Sequence, residues 1–447
     1  MAGLFHRLRR EKVDSIILGD VVRIVDRSGL QDAEISGHKY LLHTSKLYQH
    51  LFIQGIPGSG KTEFLKSLIR QLVAKGVRVC VVDGAGNPNF ARDICVIARE
   101  AGLPPTPVLK YGWINDSPSS VFHGFTGDNH SVFNRLVALF DLEMTGKEGD
   151  YYRNIRRGFL NHVCGVNINL RYPNVTPFEP PRSFQELANR LTWSWMNNTF
   201  GERQAASILK DREDYFAEFR EMIWDKAAPL LDILHEDGFR LGEHPLTVFS
   251  INALKGGDTG KYFVQFLAQA FIDHMGRDEG TVWVIDEIGM FGGEVVKDFT
   301  KMGRQYRLGI VMALQSTASL GYKWHIEEIL DSTNIKLIMR CDDAEELRRR
   351  AGTKRVTEVR HTFDETGRGR GGSEGKREVD KITLEEVKRL LPGEMFVENG
   401  NSVYKIKSPL VKVKQAFEES MEFQNRHVLR NDTPRHRFRD HTESDLS

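Results

Sequence analysis

Gly55-Ile56-Pro57-Gly58-Ser59-Gly60-Lys61-Thr62 matches the pattern GxxxxGK[ST] and lies between an apolar run, Leu51-Phe52-Ile53, and a stretch with helical periodicity. In that setting the pattern has mechanical meaning. The glycines let the backbone curl so that several N–H groups point at phosphate oxygens. Lys61 can then reach the β- and γ-phosphates, and the Thr62 hydroxyl can ligate magnesium. Phe64, Leu65, Leu68, Ile69, Leu72 and Val73 recur at the spacing of a buried helix face, with Gly76 as its stop. The stretch therefore implies a nucleoside triphosphate site at a strand-to-helix turn, and with it an α/β fold.

Val282-Trp283-Val284-Ile285-Asp286-Glu287 supplies the second half of such a site, an apolar strand that delivers two adjacent carboxylates at its C-terminal end. Ligands of open α/β sheets bind at that end of the strands. Asp286 is expected to hold magnesium, directly or through water, and Glu287 to act as general base on the attacking water. One strand further on, Gln315 ends the run Gly309–Leu314, which places its amide near the γ-phosphate. Arg304 precedes that run and is the candidate for an arginine finger offered to a neighbouring subunit, with Arg307 as the competing choice.

Strands alternate with helices on both sides of a long interruption. Val77–Asp83 and Pro107–Tyr111 follow the phosphate loop. Leu246–Ile251, Gly309–Leu314 and Ile335–Met339 come later. This alternation predicts βαβ units and a mostly parallel sheet. From about 129 to 239 helical periodicity takes over, in Val132–Leu142, Tyr151–Val163, Phe184–Asn197 and Gln204–Ala227, which reads as an inserted all-helical subdomain. Residues 1–45 read as a small β-rich entry segment with short strands at Ile16–Leu18 and Val21–Val25. The ATPase domain is expected over 46–128 and 240–415. The Gly/Arg/Glu-rich stretch 361–377 reads as a mobile loop, Asn399-Gly400 as the turn of a terminal hairpin, and 416–447 as a helix end and a disordered polar tail.

The 447 residues carry 62 Lys+Arg against 61 Asp+Glu, a net charge of +1, so any nucleic-acid contact must come from local charge. The candidates are Lys255–Lys261, read as a flexible turn, the stretch Arg348-Arg349-Arg350 to Arg355, and the tail around Arg435–Arg439. The four cysteines form no CxxC pair and read as reduced thiols. The basic stretch Met1–Lys12 has no apolar core behind it, and no apolar run approaches the roughly 20 residues that span a bilayer. A cytoplasmic chain is expected.

Taken together, the phosphate loop, the strand VWVIDE and above all Gly303-Arg304-Gln305-Tyr306-Arg307-Leu308-Gly309-Ile310-Val311-Met312-Ala313-Leu314-Gln315-Ser316-Thr317 resemble the FtsK/HerA superfamily of hexameric DNA-pumping ATPases. Within it the resemblance is to TraD/TraG/TrwB-type coupling proteins of conjugation and type IV secretion, and it runs from about His38 to Val413. It implies a RecA-like P-loop NTPase using ATP and Mg2+, with Lys61 and Thr62 on nucleotide and metal, Asp286 and Glu287 as hydrolytic acids, Arg304 as finger and Gln315 as sensor. It also implies a ring of copies, a hexamer, that pumps DNA, single-stranded rather than double-stranded, with a relaxase and a membrane-bound secretion partner. Such proteins usually begin with a transmembrane anchor, which is not expected in this chain, so either a separate membrane partner supplies the anchor or the chain is a soluble relative that moves DNA elsewhere. Two other readings stay open: a viral packaging or HerA-like motor for double-stranded DNA, and an ATP-gated docking protein.

Overall fold

The computed structural model describes residues 15–26, 33–34, 37–112, 119–144, 146, 149–252, 255, 257–277, 280–363, 369–400 and 402–409. The tail 416–447, with its Arg435–Arg439 cluster, lies outside them. Among the described residues there are fourteen strands: β1 (Ser15–Asp26), β2 (Ala33–Glu34), β3 (Lys39–His43), β4 (Leu51–Gln54), β5 (Val79–Asp83), β6 (Val108–Tyr111), β7 (Leu246–Ile251), β8 (Val282–Asp286), β9 (Gly309–Leu314), β10 (Ile335–Ile338), β11 (Thr353–Phe363), β12 (Gly369–Asp380), β13 (Glu394–Asn399) and β14 (Ser402–Lys407). Twelve of them make one sheet in the order β2-β1-β14-β13-β10-β4-β9-β8-β5-β7-β6, with β3 on β1. From β10 to β6 every pairing is parallel, whereas β13, β14, β1, β2 and β3 extend the sheet antiparallel.

The parallel strands are apolar throughout because both of their faces are covered. Alternate residues divide between two cores. Val282 and Val284 face the helices Lys61–Ala74 and Pro88–Glu100, while Trp283 and Ile285 face the helices Gly257–His274 and Gly293–Gln305. The result is an α/β sheet of RecA-like type with helices on both faces, as the strand–helix alternation implies. The helices of the long interruption join the Trp283 side through Phe140, Phe159, Phe184, Phe219 and their neighbours. Among the described residues, no helix is long and apolar enough to cross a membrane.

Several expectations are corrected. The stretches Ile16–Leu18 and Val21–Val25 are one 12-residue strand, whose register shifts at Ile17/Gly19 and Val21/Arg23 hide its continuity in the sequence. Phe184–Asn197 is two helices, Phe184–Arg190 and Trp193–Phe200, the second capped by Thr192 Oγ1, which accepts from Trp195 N at 3.3 Å. Gln204–Ala227 breaks at Asp211, whose φ of 57° no helix can continue. Most of the expected mobile loop 361–377 is ladder: β11 and β12 pair antiparallel from Thr353↔Asp380 to Phe363↔Gly369. Glycine is depleted in strands, but its peptide group pairs like any other, so composition alone misjudges the stretch. Residues 364–368 lie outside the described ones.

Trp283 is 1% exposed and packs against Phe271 and Phe299, with ring centroids at 4.9 and 5.8 Å. Trp283→Ala should cost about 3–5 kcal/mol of unfolding free energy, read from urea denaturation.

Candidate active site

The strand order makes the site. β4, which delivers the phosphate loop, lies between β9 and β10, and β8 lies beyond β9. The ladders continue into the loop: Gly55 N donates to Leu314 O at 3.2 Å and Ile56 N to Arg340 O at 2.8 Å. A third clamp comes from the far end of the chain, where Gly393 N donates to Ser59 O at 2.9 Å. Gly60, at the N-terminus of the helix Lys61–Ala74, has φ 99°, and a Cβ there would lie 2.7 Å from Gly393 N. No other residue satisfies both demands. The loop N–H groups and the start of that helix form an anion-binding concavity.

Lys61 is almost wholly buried, and its ammonium donates to Gly55 O and, at 3.4 Å, to Ile56 O. Burial pulls its pKa down, opposed by Asp286 and Glu287. Thr62 Oγ1 lies 3.5 Å from Asp286 Oδ2, so a hydroxyl and a carboxylate stand together beside the loop. That pair of hard oxygen donors suits magnesium, which takes one or two carboxylates plus phosphate oxygens and water. The donor set and the concavity therefore fit a magnesium nucleotide.

Glu287 stands at φ 62°, ψ 57°, left-handed backbone that costs a residue with a Cβ about 1–2 kcal/mol. Strain of this kind persists where the surroundings over-determine it. Here the turn separates the two acids: Asp286 meets Thr62, while Gln315 helps to hold down the proton affinity of Glu287. Burial, then repulsion from Asp286, raises the Glu287 pKa, and Lys61 and Gln315 oppose the rise. Burial raises Asp286 as well. A carboxylate with raised proton affinity, oriented by an amide, suits a general base.

Lys61, Thr62, Asp286, Glu287 and Gln315 thus converge at one end of the sheet. Arg304 does not join them. It sits in the last turn of the helix Gly293–Gln305, at the opposite end of the six-residue β9, which at about 3.3 Å per residue puts roughly 20 Å between the two ends. Its guanidinium donates to Ser332 O at 2.7 Å and to Asn334 Oδ1 at 3.4 Å. Arg307 lies at the same end, against the Tyr48 ring at 6.0 Å. Of the candidate nucleic-acid segments, 258–261 begins the helix Gly257–His274 and is not a flexible turn. Arg348 is tied to Asp380 and Ile382 O within the chain.

Sequence reasoning missed two residues. Asp83 ends β5 and is the register partner of Asp286. Its carboxylate accepts from Ser250 Oγ at 2.8 Å, Asn87 N at 2.6 Å and Ala85 N at 3.1 Å. The turn it holds is pinned to the acids by Gly84 N donating to Asp286 O at 3.0 Å. The acid at a strand end was the available signal. The second residue is Arg340, which follows β10 against the loop; a lone arginine after an apolar run carries no motif.

Two segments match known families. Residues 281–392 match the family described as the TraM recognition site of TraD and TraG, and residues 41–96 the type IV secretion-system coupling protein DNA-binding domain. Among solved structures, the unbound monoclinic form of the bacterial conjugative coupling protein TrwBdeltaN70 aligns with a TM-score of 0.57 at 13% identity, over 83% of this chain and 87% of that one. Plasmid coupling protein TrwB in complex with ADP and Mg2+ gives 0.57 at 13% identity over 89% and 94%. VirB4 of Thermoanaerobacter pseudethanolicus gives 0.56 at 15% identity over 92% and 98%. No curated protein matches the chain. The fold is that of a RecA-like P-loop NTPase. With the two matching segments, the chain is recognised as similar to TraD/TrwB-type coupling ATPases.

Burial, opposed mainly by the Ser250 and Asn87 hydrogen bonds, pushes Asp83 up to about 6 from an ordinary 3.8. Because the folded state holds this proton more tightly, the stabilisation is fully present below pH 3.8 and is lost as pH rises through about 6. Wild type should therefore lose stability relative to Asp83→Asn between pH 4 and pH 7.5, by an amount on the order of 3 kcal/mol, in parallel denaturation series. A pH-independent difference between the two proteins would remove Asp83 from this account.

Proposed function

We propose that this chain is the motor of a conjugative DNA-transfer system, a ring of copies that hydrolyses ATP to pump single-stranded DNA toward a secretion channel. The coarser statement, a type IV secretion motor ATPase, is what the matches to coupling proteins and to VirB4 share. The observation that carries the reading is the meeting of Lys61, Thr62, Asp286, Glu287 and Gln315 at the ends of three adjacent strands, inside segments that match coupling-protein families.

Magnesium, held by Thr62 and Asp286, would supply charge neutralisation on the phosphates of bound ATP. Lys61 would exchange the carbonyls of Gly55 and Ile56 for phosphate oxygens. Glu287, oriented by Gln315, would take the proton of the attacking water. Arg304, a strand length from its own loop, is suited only to a neighbouring copy's site, so the finger reading requires a ring. In this proposal residues 46–128 and 240–415 form the ATPase domain, 129–239 the inserted helical domain, and its part near 141–235 faces the transfer machinery or recognises the DNA–relaxase complex. Residues 1–45 form the entry segment, and a membrane-bound partner places the ring at the cytoplasmic face of the membrane.

Glu287→Gln should keep ATP affinity within about twofold of wild type while lowering the hydrolysis rate on the order of 100-fold or more, measured by equilibrium binding and steady-state turnover. Turnover near the wild-type rate would remove Glu287 as the base. Mixing Arg304→Ala with Lys61→Ala chains should restore part of the activity that each lacks alone, because mixed rings contain intact composite sites. Full activity of Arg304→Ala by itself would exclude the finger.

A further inference from the structure

Arg340 is the residue that the mechanism above leaves without work. Its backbone belongs to the phosphate loop as much as to β10, since its carbonyl accepts from Ile56 N at 2.8 Å and its neighbour Met339 N donates to Gln54 O at 2.8 Å. Its guanidinium lies over the loop: one Nη atom is 3.6 Å from the position a Cβ on Gly58 would take. The side chain is half-buried, its Nε is shut off from solvent without a hydrogen-bond partner, and it joins no ion pair among the described residues. The following residues tie this segment to the rest of the site. Gln54 Nε2 donates to Asp343 O, and Thr317 Oγ1, two residues beyond Gln315, donates to Asp343 Oδ2 at 3.0 Å.

A guanidinium held against the middle of a phosphate loop, with a buried N–H unsatisfied, is costly unless an anion completes it. Arginine is also the side chain best shaped to grip phosphate oxygens in pairs. We infer that Arg340 is a nucleotide-binding residue acting on its own chain's loop, the second cation, with Lys61, that holds the phosphates of the bound nucleotide. This rests on the nucleotide-binding reading above and adds to it a contact made within a single subunit. It differs from the finger role of Arg304, which lies at the opposite end of β9.

The test is nucleotide-induced thermal stabilisation, with equilibrium binding of Mg-ATP and Mg-ADP, for the full chain and for Arg340→Ala and Arg340→Lys. Without nucleotide, Arg340→Ala should melt at the wild-type temperature or above, because the anion's partner is removed and no internal ion pair is lost. With nucleotide, it should show a much smaller upward shift and a Kd raised about tenfold or more, the scale of one charge-assisted phosphate contact. Arg340→Lys should recover part of both. A full nucleotide-induced shift and an unchanged Kd in Arg340→Ala would overturn the inference, as would an apo melting temperature lowered with binding intact, the mark of a structural residue. If wild type itself gains no stability from Mg-ATP or Mg-ADP, the nucleotide-site reading fails first, and that outcome is distinct from the failure of Arg340 alone.

Discussion

The site depends on the placement of one four-residue strand. β4 is flanked by β9 on one side and β10 on the other, and both ladders run on into the phosphate loop through Gly55 and Ile56. Two backbone hydrogen bonds therefore fix the loop's entry, and Gly393 fixes its exit from a part of the chain more than 300 residues later. Every candidate side chain at these strand ends inherits its position from that frame. Asp286 and Glu287 stand one strand beyond β9, Gln315 caps β9 itself, and Arg340 caps β10. A nucleotide site assembled from strand ends in this way is rigid where phosphate must be held, because each strand end is secured by a ladder buried on both faces.

Electrostatics then sorts the acids. Asp83, Asp286 and Glu287 share a buried region, and burial raises the proton affinity of all three. Their partners separate them. Asp83 is committed to Ser250 and two backbone N–H groups. Asp286 meets Thr62, and Glu287 is turned by its left-handed backbone toward Gln315. Lys61 offsets part of the repulsion. A divalent cation would offset more, which gives a physical reason for nucleotide and metal to enter together.

The parts of the site that were legible in the sequence are those in which chemistry and spacing are local. Eight consecutive residues define the phosphate loop, and the strand VWVIDE carries its acids at its end. Gln315 likewise reads as the residue at a strand's exit. What was not legible depends on the strand order. β4 is neighboured by β9 and β10, neither adjacent to it in sequence, so nothing local marks Arg340 as a companion of Gly58. The β1 bulges, the helix break at Asp211 and the glycine-rich β12 were missed for a related reason. Each is decided by pairing or by a single backbone angle, and composition is blind to both.

The likeness to coupling proteins and the geometry at the β4, β8 and β9 ends support the proposal of a type IV secretion motor ATPase. The most direct test is steady-state ATP hydrolysis by the purified chain, alone and with single- or double-stranded DNA, with the oligomer mass followed across protein concentration. The account predicts turnover that rises with ring formation and is stimulated further by single-stranded DNA. Turnover indifferent to both DNA and assembly would contradict it and favour a nucleotide-gated docking protein.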